Sequence, residues 1–326
     1  MKPFDCTVVG DIAFDVILQK KSWKNGFPQG GISYLDYATL VPGGSGNIAV
    51  GMSLLGLRIA FIGKAGKDML GKIYADDLES NDVTAKIFFD KSLPTGIVIA
   101  LTECEGERSF QVFRGANDKL AAEDIESAKQ LIENSKYLYI CGYSLVSSDQ
   151  QNAILNAVNI AKYSHTQVAF DPGAYNLIDS RRQLFQRLLT LSDLFCPNLR
   201  EALVITNTGT LDAALQRLKE CTKLTALKLG KEGSVIVCGD ETIKTPASKV
   251  RVVDTVGAGD AFMAAVVYGL THDLPLNLTA HLANWYAAQT ITSCGARSYP
   301  SERKIHSFVK SLELARAQRR QNLEAS

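Results

Sequence analysis

One pattern constrains this chain more than any other: short apolar, β-branched runs alternate with stretches of helical periodicity. The runs are "CTVVG" (6–10), "RIAFIG" (58–63), "YLYICG" (137–142), "QVAFD" (167–171), "LFCPN" (194–198), "LTALKLG" (224–230) and "SVIVCG" (234–239). Several are apolar on successive residues, as strands covered on both faces are. Between them lie helical stretches such as "IAVGMSLLG", "MLGKIYADDLES", "QNAILNAVNIAKY" and "LDAALQRLKE". Strands alternating with helices predict an α/β fold, with a mostly parallel central sheet flanked by helices.

Two regions break the rhythm. Residues 12–41 contain "IAFDVILQ" and "GISYLDYATLV" with no helix between them, and residues 93–115 hold "TGIVIALTE" and "ERSFQVF" around a turn at "CEGE". Both show the period-two alternation of a sheet with one wet face. They predict a small antiparallel β-sheet inserted twice into the core, placed to act as a lid over a cleft. The core then comprises 1–11, 42–92 and 116–326, and the lid 12–41 and 93–115. The last segment, "KIHSFVKSLELARAQRRQNLEAS", reads as a charged surface helix.

Composition excludes several classes of function. The 35 basic and 34 acidic side chains leave a net charge of +1, which gives no field for nucleic acid. The apolar run "AFMAAVVYGL" is far short of the ~20 residues a membrane span needs. The seven cysteines are odd in number, lack zinc-ligand spacing and mostly sit in apolar runs, which predicts reduced thiols. With no signal-peptide pattern in "MKPFDCTVVGD", the expected location is cytoplasmic. The four histidines show no metal-ligand spacing.

The string "VVDTVGAGDAFMAAVVYGL" (252–270) carries the most chemistry. It reads as a strand ending at Asp254, a glycine-rich turn and an apolar helix from about Asp260. Gly257, Ala258 and Gly259 can bring backbone N–H groups close to an anion, and the helix dipole adds to that field. Asp260 would then sit where a carboxylate can take a proton from an attacking hydroxyl. The same residues also fit a tight turn with Asp260 as a helix N-cap.

"DTVGAGD" is similar to the C-terminal signature of the ribokinase family, the phosphofructokinase-B-type carbohydrate kinases, and "PGGSGNIAVGMSLLG" (42–56) resembles its N-terminal signature. The resemblance spans roughly residues 5–300. It implies a ribokinase-like fold and a kinase in which Asp260 is the base and the 257–259 backbone the anion hole. It places Gly43, Gly44 and Asn47 in the acceptor pocket, although two residues separate Gly44 from Asn47 where the family more usually has three. "VVGDIAFD" resembles the opening strand, whose Asp11 and Asp15 would bind sugar hydroxyls; the plainer reading of Asp15 is a solvated strand residue. "GERSFQVFRGAN" resembles the lid and the loop after it, so Arg114 and Asn117 reach the acceptor or belong to a surface loop.

On the nucleotide side, "CPNLREA" resembles the family's magnesium- and phosphate-binding motif, giving Asn198 and Glu201; the same pair also spells a capping box. "LKLGKEG" resembles the turn past the adenosine, giving Lys228, Gly230 and Gly233. "ANWYAAQTITSCGA" resembles the helix closing the base site, with Asn284 as contact, or is an ordinary amphipathic helix. The family implies ATP and Mg2+, with K+ beside Asp254 and the Val256 carbonyl.

The expected acceptor is a sugar or sugar acid. An adenosine-like nucleoside is the alternative, and Phe14, Tyr34 and Tyr37 are the candidate wall for its base. A nicotinamide dehydrogenase using Gly44 and Gly46 and a non-catalytic sugar-binding regulator are the other rivals. The Gly44–Gly46 spacing is a weak fingerprint after Pro42, and the regulator has no need of an intact "GAGD". Ile97, Ile99 and Leu101 alternate along one lid strand. That leaves an apolar face, so a homodimer through the lid is expected.

Overall fold

The computed structural model describes residues 2–20, 30–103, 108–173 and 175–324. The turn expected at 104–107 lies outside these, as does Cys104. The strands are β1 (Phe4–Val9), β2 (Ala13–Lys20), β3 (Tyr37–Pro42), β4 (Ile59–Gly66), β5 (Val83–Asp90), β6 (Gly96–Glu103), β7 (Arg108–Phe113), β8 (Ser135–Cys141), β9 (Gln167–Asp171), β10 (Leu194–Phe195), β11 (Leu224–Lys228), β12 (Ser234–Cys238) and β13 (Glu241–Thr245). Nine form one sheet in the order β13-β12-β11-β10-β9-β8-β1-β4-β5, parallel from β11 to β5 and antiparallel across β12 and β13.

The successive apolar residues now have their reason. Val8, Phe61, Tyr139 and Ala169 belong to one core cluster, and their neighbours Val9, Ile62, Ile140 and Phe170 to another on the opposite face. Helices Gly46–Leu54, Ala258–Thr271 and Leu276–Thr290 contribute to the first cluster, and helices Ser148–Tyr163, Arg182–Leu191 and Leu211–Cys221 to the second. Helix Ala258–Thr271 is buried from Ala261 to Gly269 without a break. A Cβ on Gly269 would lie 2.4 Å from Thr279 Oγ1, so only glycine lets the next helix approach this closely.

The other four strands form a second sheet in the order β3-β2-β6-β7, two antiparallel pairs joined side by side through a parallel β2·β6 pairing. Its register puts Val41, Asp15, Val98 and Val112 in one row and Thr39, Ile17, Ala100 and Phe110 in the next, on one face. Ile97, Ile99 and Leu101 are on the other face and are half-buried.

The strand expected to end at Asp254 does not form. Residues 246–257 run as an irregular segment: the large sheet already ends at β13, and Val252 and Val253 stay exposed with no strand to pair with. No helix among the described residues is long and apolar enough to cross a membrane.

Candidate active site

From β1 the large sheet extends to β4 and β5 on one side and to β8 and beyond on the other. The carboxyl ends of β1 and β8 therefore form a topological switch point, where open α/β sheets leave a crevice. A cavity of about 620 Å³ opens there, and Asp15, Ile17, Val98, Ala100, Phe110 and Val112 from the small sheet line its outer wall.

At the small-sheet end, Asp11 follows β1 and bridges the switch point. Its carboxylate accepts from Ser144 (2.9 Å), Gln150 (2.6 Å) and both Nη atoms of Arg114 (2.9 and 3.3 Å). Arg114 also donates to Asp118, the Tyr143 carbonyl and Gln150, so all five of its N–H groups have protein acceptors. Asn117 lines the cavity and binds the Ile12 N–H and the Ile12 and Arg114 carbonyls, which braces the wall there. Asp15 is pushed up to about 6 by burial, with Arg297 pulling the other way.

The glycine turn explains itself by contact. Gly44 has φ +55, and a Cβ there would lie 2.6 Å from the Asp11 carbonyl. A Cβ on Gly43 would strike the Asp15 carboxylate at 2.4 Å, although Gly43 itself does not line the cavity. Tyr74 clamps the turn by donating to the Gly43 carbonyl (2.7 Å) and accepting from the Gly46 N–H (2.9 Å). Asn47, in the first turn of helix Gly46–Leu54, lines the cavity.

At the opposite end, helix Ala258–Thr271 starts two residues earlier than expected, with Gly257 at its cap in the left-handed region (φ 81). A Cβ there would lie 2.1 Å from the Ala296 carbonyl. Asp260 is therefore not the N-cap; it sits in the first turn and faces the cavity. The Ala258 N–H points to the Thr255 carbonyl (3.4 Å), and as first-turn groups the Gly259 and Asp260 N–H groups have no intrahelical acceptor. Asp254 holds the preceding turn through the Val256 N–H (2.8 Å) and the Gly295 N–H (2.9 Å).

Burial raises Asp260 to about 7. The Asp171 carboxylate adds to the rise, and Lys228 opposes it. Lys228 Nζ donates to Asp171 at 2.7 Å and lies 3.6 Å from a Cβ built on Gly259. Burial works against the Lys228 charge, but Asp171 holds its pKa above the ordinary value. The ammonium thus lies beside the helix start.

Asn198 and Glu201 also line the cavity and form a reciprocal capping box. The Asn198 side chain accepts from the Glu201 N–H, and Glu201 accepts from the Asn198 N–H (2.8 Å). Burial raises the Glu201 pKa, with Lys228 opposing. Gly230 lines the cavity, whereas Gly233 and Asn284 do not. A Cβ on Gly233 would lie 2.1 Å from the Thr245 carbonyl, and Asn284 donates to the Thr245 and Pro246 carbonyls. Both residues secure the loop after β13.

Three expected wall residues are elsewhere: Phe14 is buried in the core, Tyr34 and Tyr37 are exposed, and none lines the cavity. Phe110, Val112 and Phe113 take that place. Sequence reasoning also missed Asp171, Ser144, Gln150 and Arg297. Asp171 had a signal, since it ends β9 at the carboxyl edge of the sheet.

The sequence model of the pfkB family carbohydrate kinases matches residues 4–303. The chain belongs to that family. A protein of Archaeoglobus fulgidus described as an uncharacterized sugar kinase is 30% identical over 252 residues, 76% of this chain and 97% of its own. Among solved structures, a probable sugar kinase from Rhizobium etli superposes with a TM-score of 0.87 at 27% identity, covering 96% of this chain and 100% of its own. Adenosine kinase from Sinorhizobium meliloti superposes with a TM-score of 0.86 at 29% identity, covering 94% of this chain and 99% of its own. Family membership makes the chain a phosphotransferase with an alcohol acceptor, and it removes the dehydrogenase reading of Gly44 and Gly46.

Proposed function

We propose that this protein transfers the γ-phosphoryl group of ATP to a hydroxyl of a sugar or sugar acid, with Asp260 as general base. The observation that carries this reading is the place of Asp260. It lies on the first turn of a helix whose Gly259 and Asp260 N–H groups are open to an anion, and burial and Asp171 raise its pKa to about 7. A base poised near neutral pH takes a hydroxyl proton as the oxygen attacks, and the N–H groups stabilise charge on the transferring group. The acceptor lies between Asp260 and the polar groups of Asp15 and Asn47, which suit vicinal hydroxyls. The small sheet acts as a lid that excludes water, which would otherwise compete as acceptor.

Among the described residues, six carboxylates and two cations line the cavity. A nucleoside triphosphate therefore needs accompanying cations, and the donor set fits magnesium. No cluster of three metal-ligating side chains occurs among the described residues, so phosphate oxygens and water would supply most ligands, with Asn198 and Glu201 as protein contributors. Magnesium would neutralise charge on the phosphates. The buried carboxylate of Asp254 and the Val256 carbonyl would hold potassium beside the 257–259 turn; turnover should then be faster in potassium than in sodium, and equal rates would leave Asp254 as a turn clamp.

Because every N–H of Arg114 already has a partner, the described lining residues offer no unengaged guanidinium to an acceptor carboxylate. This favours a neutral sugar over a sugar acid. A nucleoside is the second reading, and the apolar wall of Ile17, Phe110, Val112 and Phe113 favours it. ADP formation on D-ribose, D-fructose, 2-keto-3-deoxygluconate and adenosine tests the choice. Turnover of a sugar supports the first reading, turnover of adenosine alone supports the second, and acceptor-independent rates in all four sink both.

A further inference from the structure

Arg297 follows the Gly295–Ala296 turn that backs Gly257, and it reaches across the molecule to the glycine turn. Its Nε donates to Asn47 Oδ1 at 2.8 Å, and its Nη1 donates to Asp77 at 2.5 Å. Nη2 is buried with no hydrogen-bond partner among the described residues. It is packed so tightly against Gly46 that a Cβ there would lie 2.8 Å away. Two residues on, Tyr299 donates to the Asn47 carbonyl at 2.6 Å and stacks on Tyr286. A buried guanidinium with one donor left unmatched is a costly arrangement to maintain for stability alone.

The direction of the Nε bond has a consequence for the cavity. Guanidinium nitrogens only donate, so Asn47 must turn its carbonyl oxygen to Arg297. Its NH2 is then the end left for the cavity that Asn47 lines. We propose that Arg297 is a positioning residue of the acceptor pocket, fixing the Asn47 side chain as a hydrogen-bond donor to the acceptor. An acceptor hydroxyl can take a bond from Asn47 while giving its own proton to the Asp15 carboxylate, so the pair reads a hydroxyl in one direction. The proposal rests on reading this end of the cavity as the acceptor site.

The test is a double-mutant cycle on the panel member turned over fastest, with Asn47→Ala and Arg297→Met as the single variants. Loss of an oriented hydrogen bond predicts that Arg297→Met raises the acceptor KM about tenfold, leaves the KM for ATP within about twofold, and adds less than about twofold in the Asn47→Ala background. Arg297→Lys, which keeps a charge and a donor, should fall between wild type and Arg297→Met. A tenfold effect that persists without Asn47, or a parallel rise in the KM for ATP, overturns the proposal. A readout that needs no acceptor keeps it separate from the kinase reading. The Asn47 side-chain NH2 signals in a 1H–15N spectrum, assigned through Asn47→Ala, should move in both Arg297 variants. If no panel acceptor is phosphorylated, the acceptor assignment falls and these signals still decide: displaced signals support Arg297, and unmoved signals overturn its role. Should Arg297→Met fail to fold, Arg297→Lys carries both measurements.

Discussion

The proposed base, Asp260, shows how surroundings set the protonation of one side chain. Burial and Asp171 favour its protonated form, and Lys228 and Arg297 favour the carboxylate, which leaves it near pH 7. A general base works only when deprotonated, so kcat/KM should fall as pH drops through about 7 in the free enzyme. Asp171→Asn removes a like charge and should move this acidic limb to lower pH. Lys228→Met removes the opposing cation and should move it to higher pH. Limbs that coincide in all three proteins would mean that another group sets the profile. Asp260 was singled out by the resemblance of "DTVGAGD" to a family signature, since the glycines and the Asp by themselves equally spell a tight turn with an N-cap. Arg297 was not, since its partner Asn47 lies 250 residues away and nothing local marks the pair.

At the level of elements, the glycine turn before helix Ala258–Thr271 depends on Gly257 more than on its neighbours. The residue combines φ 81 with a virtual Cβ 2.1 Å from a backbone carbonyl that cannot swing aside. Gly257→Ala should therefore cost on the order of 2–4 kcal/mol of stability, from the left-handed backbone and the clash together, and should reduce turnover as the helix start shifts. Denaturant unfolding midpoints check this, and a variant with wild-type stability and rate would refute it. The parallel strands were readable because burial on both faces leaves a continuous apolar run, as in Val8–Val9. The same rule misled at Val252–Val253, where an apolar pair lies in an exposed segment. Capping chemistry explains why Asn198 and Glu201 stayed ambiguous: the box they form and a place in the cavity use the same geometry.

For the whole molecule, strand order sets the position of the site, and the sequence pattern carried α/β class but not that order. The small sheet was visible as a break in rhythm, yet which of its residues face the cavity depended on register. Val98, Ala100 and Phe110 turn inward, while Ile97, Ile99 and Leu101 form the outer face next to exposed Leu40. An apolar outer face on a four-stranded sheet invites a second copy through a two-fold contact. Light scattering should give a particle near twice 35.4 kDa, and Ile99→Asp should halve it; a wild-type particle of 35.4 kDa would exclude the dimer. The central claim is that a hydroxyl, deprotonated by Asp260, captures the phosphoryl group. Phosphorus NMR of wild type and Asp260→Asn, each with ATP, magnesium and the acceptor panel, tests it directly. The account predicts a phosphate ester in the wild type and formation slowed by roughly 10²–10⁴ in the variant, with nucleotide affinity retained. Ester formation in Asp260→Asn within a few-fold of wild type would contradict it.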